Sequence, residues 1–132
     1  GISAGLYNHP NKKNNPPPYS TPEKMIDALR GKKNLGAFPD CGHWGRSGFD
    51  IVSCLKKLEG KLVGINIQDL SESRECETYG RGTLPLESFI SELERSGFDG
   101  LCVVMFDAAK DRSQIDKIPE SVEYLTKRGF KK

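Results

Sequence analysis

Apolar residues along this chain fall alternately into short continuous runs and into sets spaced three and four apart. The runs "GISAGLY" (1–7), "LGAFPD" (35–40), "LVGINIQD" (62–69) and "GLCVVMFD" (100–107) predict four β-strands, apolar enough for a sheet covered on both faces. Between them, Met25, Ile26 and Leu29 predict a helix capped by Thr21 and opened by Pro22. Ile51, Cys54, Leu55 and Leu58 predict a second helix, and Leu86, Phe89, Ile90 and Leu93 a third that starts at Pro85. A last helix runs from about Pro119, with Val122 and Leu125 inward, and Gly31, Gly60, Gly97 and Gly129 mark where the helices stop. Two stretches carry neither period, "NKKNNPPPYS" (11–20) and "LSESRECETYGRGTLP" (70–85), and both are read as loops.

The order is strand, helix, repeated four times. Strands joined by single helices must lie parallel, because a helical crossover returns the chain to the same end of the sheet. The fold class expected is therefore α/β, built from parallel βα units. A closed (β/α)8 barrel takes about 250 residues, and four units over residues 1–132 amount to half of one. Half a barrel exposes two unpaired parallel edges. Either the other half lies outside this chain or two chains complete each other.

Composition narrows the class. With 36% hydrophobic and 29% charged residues, the 132-residue chain has the balance of a globular domain. A formal charge of +2, with basic and acidic residues interspersed, gives no footprint for nucleic acid. No apolar run approaches the roughly 20 residues of a membrane span. The four cysteines form no CxxC pair, and Cys54 and Cys102 sit in apolar segments as small hydrophobes. Reduced thiols fit a cytoplasmic protein, with export left open because the chain opens without an initiator Met.

Candidate chemistry gathers at the strand ends, where parallel α/β proteins hold their ligands. The segment "PDCGHWGRSG" (39–48) supplies Asp40, His43, Trp44 and Arg46 after the second strand. Trp44 either stacks on a ligand at the strand ends or packs beneath the proline-rich loop, and Arg46 either grips phosphate or carboxylate or pairs with an acid such as Asp50. Asp69 and Asp107 end the third and fourth strands, where they either reach the mouth from beyond the strand ends or, the simpler role, fix loops by local hydrogen bonds. Gly80 and Gly82 allow close backbone approach to a ligand, and Arg81 between them offers an anion contact.

The succession "YNHP", "YSTPEKMIDAL", "LGAFPDCGHWGRSGFD", "LVGINIQDL", "YGRGTLPLESFISELERSGFDG" and "ESVEYLTKRGF" resembles the C-terminal half of the xylose isomerase-like TIM barrels, the sugar phosphate isomerase/epimerase superfamily. The resemblance implies a divalent metal, Mn²⁺ or Mg²⁺, at the barrel mouth, and metal-assisted proton transfer next to the carbonyl of a sugar or sugar phosphate. It matches Asp40 to a metal-binding aspartate, His43 to a histidine that faces the substrate and His9 to one at the end of the fifth strand, which makes His43 and His9 the catalytic candidates. Trp44, Arg46 and Arg81 are then substrate-binding candidates. Asn66 falls where a metal-binding histidine is expected, Gln68 replaces a lysine, and Met105 replaces a glutamate; a further glutamate is placed outside this chain. The implied function is a sugar isomerase or epimerase with a degenerate metal site in this half. The alternative is a non-catalytic carbohydrate-binding pseudoenzyme that keeps the barrel. An apurinic endonuclease, which shares the fold, would need more ligands and a basic face.

Overall fold

The computed structural model describes residues 4–11, 16–107 and 112–131. Residues 1–3 of the first expected strand and 12–15 of the first loop lie outside these.

Four short parallel strands carry the fold. β1 (Ala4–Leu6) pairs with β2 (Leu35–Ala37) in the register Ala4 to Leu35 and Leu6 to Ala37. β3 (Gly64–Ile67) is joined to the β2 segment by parallel bridges from Ala37 to Leu62 and from Asp40 to Asn66. Its other side pairs with the edge strand Leu101–Val104. The strands so follow one another in chain order, and all four expected runs end at the same rim.

The helices pack as their apolar spacing requires. α1 (Pro22–Leu29) starts on Thr21, whose hydroxyl accepts from the Lys24 N–H, and buries Met25 and Leu29. A second helix, α2 (Cys41–Arg46), lies inside the opening motif, where loop had been expected. Asp40 caps it by accepting from the His43 N–H at 3.0 Å. Gly42 is needed there, because a Cβ would stand 2.6 Å from the Cβ of Gln68. α3 (Ile51–Lys57) buries Ile51, Cys54 and Leu55 behind an Asp50 cap.

Asp69–Leu70 (β4) and Cys76–Glu77 (β5) form a small antiparallel hairpin inside the second expected loop. α4 (Leu86–Arg95) buries Leu86, Phe89, Ile90 and Leu93 as its spacing predicts. The edge strand Leu101–Val104 is β6; a 3₁₀ turn, Arg112–Lys117, then leads into α5 (Ile118–Thr126), which buries Leu125 while Val122 is only partly covered. The core joins these helix faces to Ala37, Ile65, Ile67 and the fully buried Trp44.

One expectation about burial fails at both edges. The apolar runs of β1 and β6 predict covered strands, yet Ala4 and Gly5 are exposed and Leu101 is 62% exposed. Among the described residues neither edge has a further strand beside it. Both are edge strands, which half a barrel leaves unpaired on one side. No helix among the described residues is long and apolar enough to cross a membrane.

Candidate functional site at the strand ends

The rim is built by the residues that follow β1, β2, β3 and β6. Tyr7 follows β1 and its hydroxyl lies 3.1 Å from both Asp40 Oδ2 and His43 Nε2. Asn8 locks the same corner, accepting from the Asp40 N–H at 2.6 Å and donating to the Asp40 carbonyl at 3.2 Å. From β3, Gln68 donates through Nε2 to Asp40 Oδ2 at 2.7 Å. Asp40 is fully buried, so these partners stand where water would otherwise solvate its charge.

Arg46, one α-turn beyond His43, points back into the same cluster. Its Nη1 lies 2.8 Å from Gln68 Oε1, 2.9 Å from Asp107 Oδ2 and 3.3 Å from His43 Nδ1. Its Nε donates to the Arg74 carbonyl, and its Nη2 to the sulfur of the buried Cys76. The pairing expected with Asp50 is thus made instead with Asp107, because Asp50 is committed to capping α3.

His9 is exposed, with its ring 5.0 Å from that of Tyr7 and 5.7 Å from that of His43. The Tyr7 and His43 rings meet edge-on at 5.6 Å. Burial holds the His43 pKa below the ordinary histidine value, with the Arg46 charge and His9 adding to the fall, against the opposing pull of Asp40 and Asp107. Burial and then the Asp40 charge push the Tyr7 phenol up, while the neighbouring Asn66 amide works the other way. Both shifts favour the neutral imidazole and the neutral phenol.

Four of the residues singled out in the sequence stand elsewhere or act differently. Trp44 is a core residue with no accessible ring face; α2 turns it inward, and its indole N–H has no hydrogen-bond partner among the described residues. Arg81 lies outside the cluster and pairs with Glu120 on the surface. Gly80 and Gly82 direct their N–H groups to Asp69 Oδ2, at 2.9 and 3.0 Å, and not outward to a ligand.

Asn66 does sit beside Asp40 through their parallel bridge, and its side chain is buried near Tyr7. The pair nonetheless does not fit a divalent ion as arranged here. Both Asp40 oxygens are engaged, Oδ1 by the helix cap and Oδ2 by Gln68 and Tyr7. Hard cations gather several oxygen donors, and among the described residues no group of three or more His, Cys, Asp or Glu side chains is placed to hold a metal. A guanidinium stands among these side chains instead.

Tyr7, Gln68, Cys76 and Asp107 complete the cluster; of the four, only Asp107 was open to this place from the sequence, as a strand-end acid able to reach the mouth. Tyr7 adjoins "NHP" at a strand end, and Gln68 was visible as a departure from lysine; those were the available signals. Cys76 carried none, because its place depends on the hairpin.

The xylose isomerase-like TIM barrel family matches residues 1–128, and the chain belongs to that family. No curated protein matches it. Among solved structures it is similar to a D-tagatose 3-epimerase-like protein, at 23% identity and TM-score 0.70 over 97% of this chain and 49% of that one. A 3-keto-D-glucoside 4-epimerase from E. coli gives 16% identity and TM-score 0.70 over 95% of this chain and 46% of that one. An L-ribulose 3-epimerase gives 15% identity and TM-score 0.72 over 96% and 46%. The chain spans about half the length of these structures, and its fold is half of their barrel.

Proposed function

We propose that this chain is the C-terminal half of a sugar or sugar-phosphate isomerase/epimerase-like barrel, and that its rim contributes carbohydrate recognition without a metal-assisted proton transfer of its own. Membership of the family supports the sugar, and the neighbours named as sugar epimerases agree with it. The single observation that carries the second part is the engagement of both Asp40 oxygens by Tyr7, Gln68 and the α2 cap. Exposed His9 and part-buried Tyr7 set two aromatic rings side by side over the buried His43, a surface that suits the face of a ring bearing hydroxyls. The two open edges take the complementary four βα units, in the same chain or in another.

The test is a chemical-shift titration of the ¹⁵N-labelled chain with D-fructose as probe. Shifts confined to His9, His43 and their neighbours are expected; rim resonances unmoved at high millimolar sugar would sink the reading. A metal-assisted epimerase is the second reading, favoured by the bridge that sets Asp40 beside Asn66. It requires conversion of D-fructose to an epimer that depends on added Mn²⁺ and stops with a chelator.

A further inference from the structure

We infer that Arg46 is a positioning residue that takes the place of a metal ion in this rim, wiring Asp40 to itself through two arms of neutral side chains. The donor and acceptor inventory fixes the direction of every bond. A guanidinium nitrogen has no lone pair to offer, so His43 Nδ1, facing Arg46 Nη1 at 3.3 Å, must be the unprotonated, accepting nitrogen. The neutral ring then carries its proton on Nε2 and donates it to the Tyr7 oxygen at 3.1 Å. The Tyr7 hydroxyl proton is left free to be donated to Asp40 Oδ2, also at 3.1 Å.

The second arm runs the same way. Arg46 Nη1 donates to Gln68 Oε1 at 2.8 Å, which orients the amide so that its Nε2 donates to Asp40 Oδ2 at 2.7 Å. Both arms begin on the guanidinium and end on one carboxylate oxygen, so every proton points from the cation toward the anion. Chains of hydrogen bonds polarised in one sense strengthen one another where water is excluded. Nη1 has two protons for three acceptors, so Asp107, 46% exposed, shares them with the two arms.

The wiring has a consequence for metals. A cation reaching Asp40 Oδ2 must expel the Tyr7 hydroxyl or the Gln68 amide, and must do so with a fixed positive charge already in the cluster. It also fixes which hydrogens a ligand meets, since the Tyr7 and His43 protons are already directed inward. These are properties of the free chain and do not depend on its binding a sugar, so the titration with D-fructose can fail while this inference stands, and the reverse.

The experiment is long-range ¹H–¹⁵N correlation of the two histidines in the wild-type chain at neutral pH, repeated with equimolar Mn²⁺. The expected result is His43 protonated on Nε2 alone, with no paramagnetic broadening centred on Tyr7, Asp40 and His43. In Arg46→Met the His43 tautomer ratio should move about tenfold toward Nδ1–H, the loss of one hydrogen bond to a charged donor, and Arg46→Lys should restore it in part. Proton on Nδ1 or on both nitrogens in the wild type, broadening centred on Asp40, or an unchanged ratio in Arg46→Met each overturns the inference. Should Arg46→Met not fold, the wild-type tautomer and the Mn²⁺ measurement decide alone.

Discussion

Asp69 and Trp44 both have the residue type of a sugar site, and both serve the scaffold. Asp69 accepts backbone N–H groups from Leu70, Gly80, Gly82 and Leu84, which closes the loop between the hairpin and α4. Gly82 must be glycine because a Cβ would stand 2.1 Å from Asp69 Oδ1. Asp69→Ala should cost on the order of 3 kcal/mol in a denaturant melt, since buried N–H groups lose their acceptor. Trp44→Ala should cost about 3 to 5 kcal/mol by opening a cavity. Trp44→Phe should cost less than about 2 kcal/mol, because the indole N–H has no partner to lose. A tryptophan that only stacked on ligand would leave stability nearly unchanged in both variants. Residue type at a strand end was legible in the sequence, but which way a side chain turns was not: α2 sends Trp44 inward and Arg46 to the rim from positions two apart.

Elements with a strong period were found and those without one were missed. The spacing of Met25 and Leu29, of Ile51, Cys54 and Leu55, and of Leu86 to Leu93 gives helices that bury those very residues. α2 escaped because two glycines in "CGHWGR" look like turn, and the pressure for glycine comes across the packing, from Gln68 at Gly42 and from Leu84 at Gly45, not from the local chain. The hairpin of β4 and β5 has strands of two residues, too short to show alternation. One tie between elements predicts a pH effect. Glu87 in α4 accepts from Tyr124 at 3.0 Å and from Arg128 Nε at 3.0 Å, and Arg128 stacks over the Tyr124 ring. Arg128 lowers the Glu87 pKa, so the contribution of this tie is complete above the ordinary glutamate value, about 4.3, and is lost as pH falls through the lower folded value. The protection factors of the α5 amides, corrected for intrinsic exchange, should fall over that acid range, and Glu87→Gln should leave only the share due to the Glu123–Lys127 pair; equal protection of α5 across the range would contradict it.

For the whole molecule, the consequential fact is that four parallel strands end in two open edges. Leu101 is 62% exposed on β6, and a groove of ≈ 710 Å³ lined by Leu101, Cys102, Val104, Val122, Leu125 and Phe130 runs between β6 and α5. Edges of this kind pair with whatever strand is offered. The chain on its own should therefore sediment as more than a monomer, and Leu101→Lys should shift it toward monomer; a clean monomer of the unmodified chain would count against the open edge. The sequence alone determined the βα alternation, the parallel sense, the helix faces and the rim location of Asp40, His43 and His9, because these follow from periodicity and from where a crossover returns the chain. Tertiary structure alone decided that Trp44 is core, that Arg46 meets Asp107, and that Gln68 and Tyr7 take up the charge of Asp40. The last two outcomes depend on distances between residues 28 to 61 positions apart, and periodicity along a chain carries no information about which side chains close such gaps.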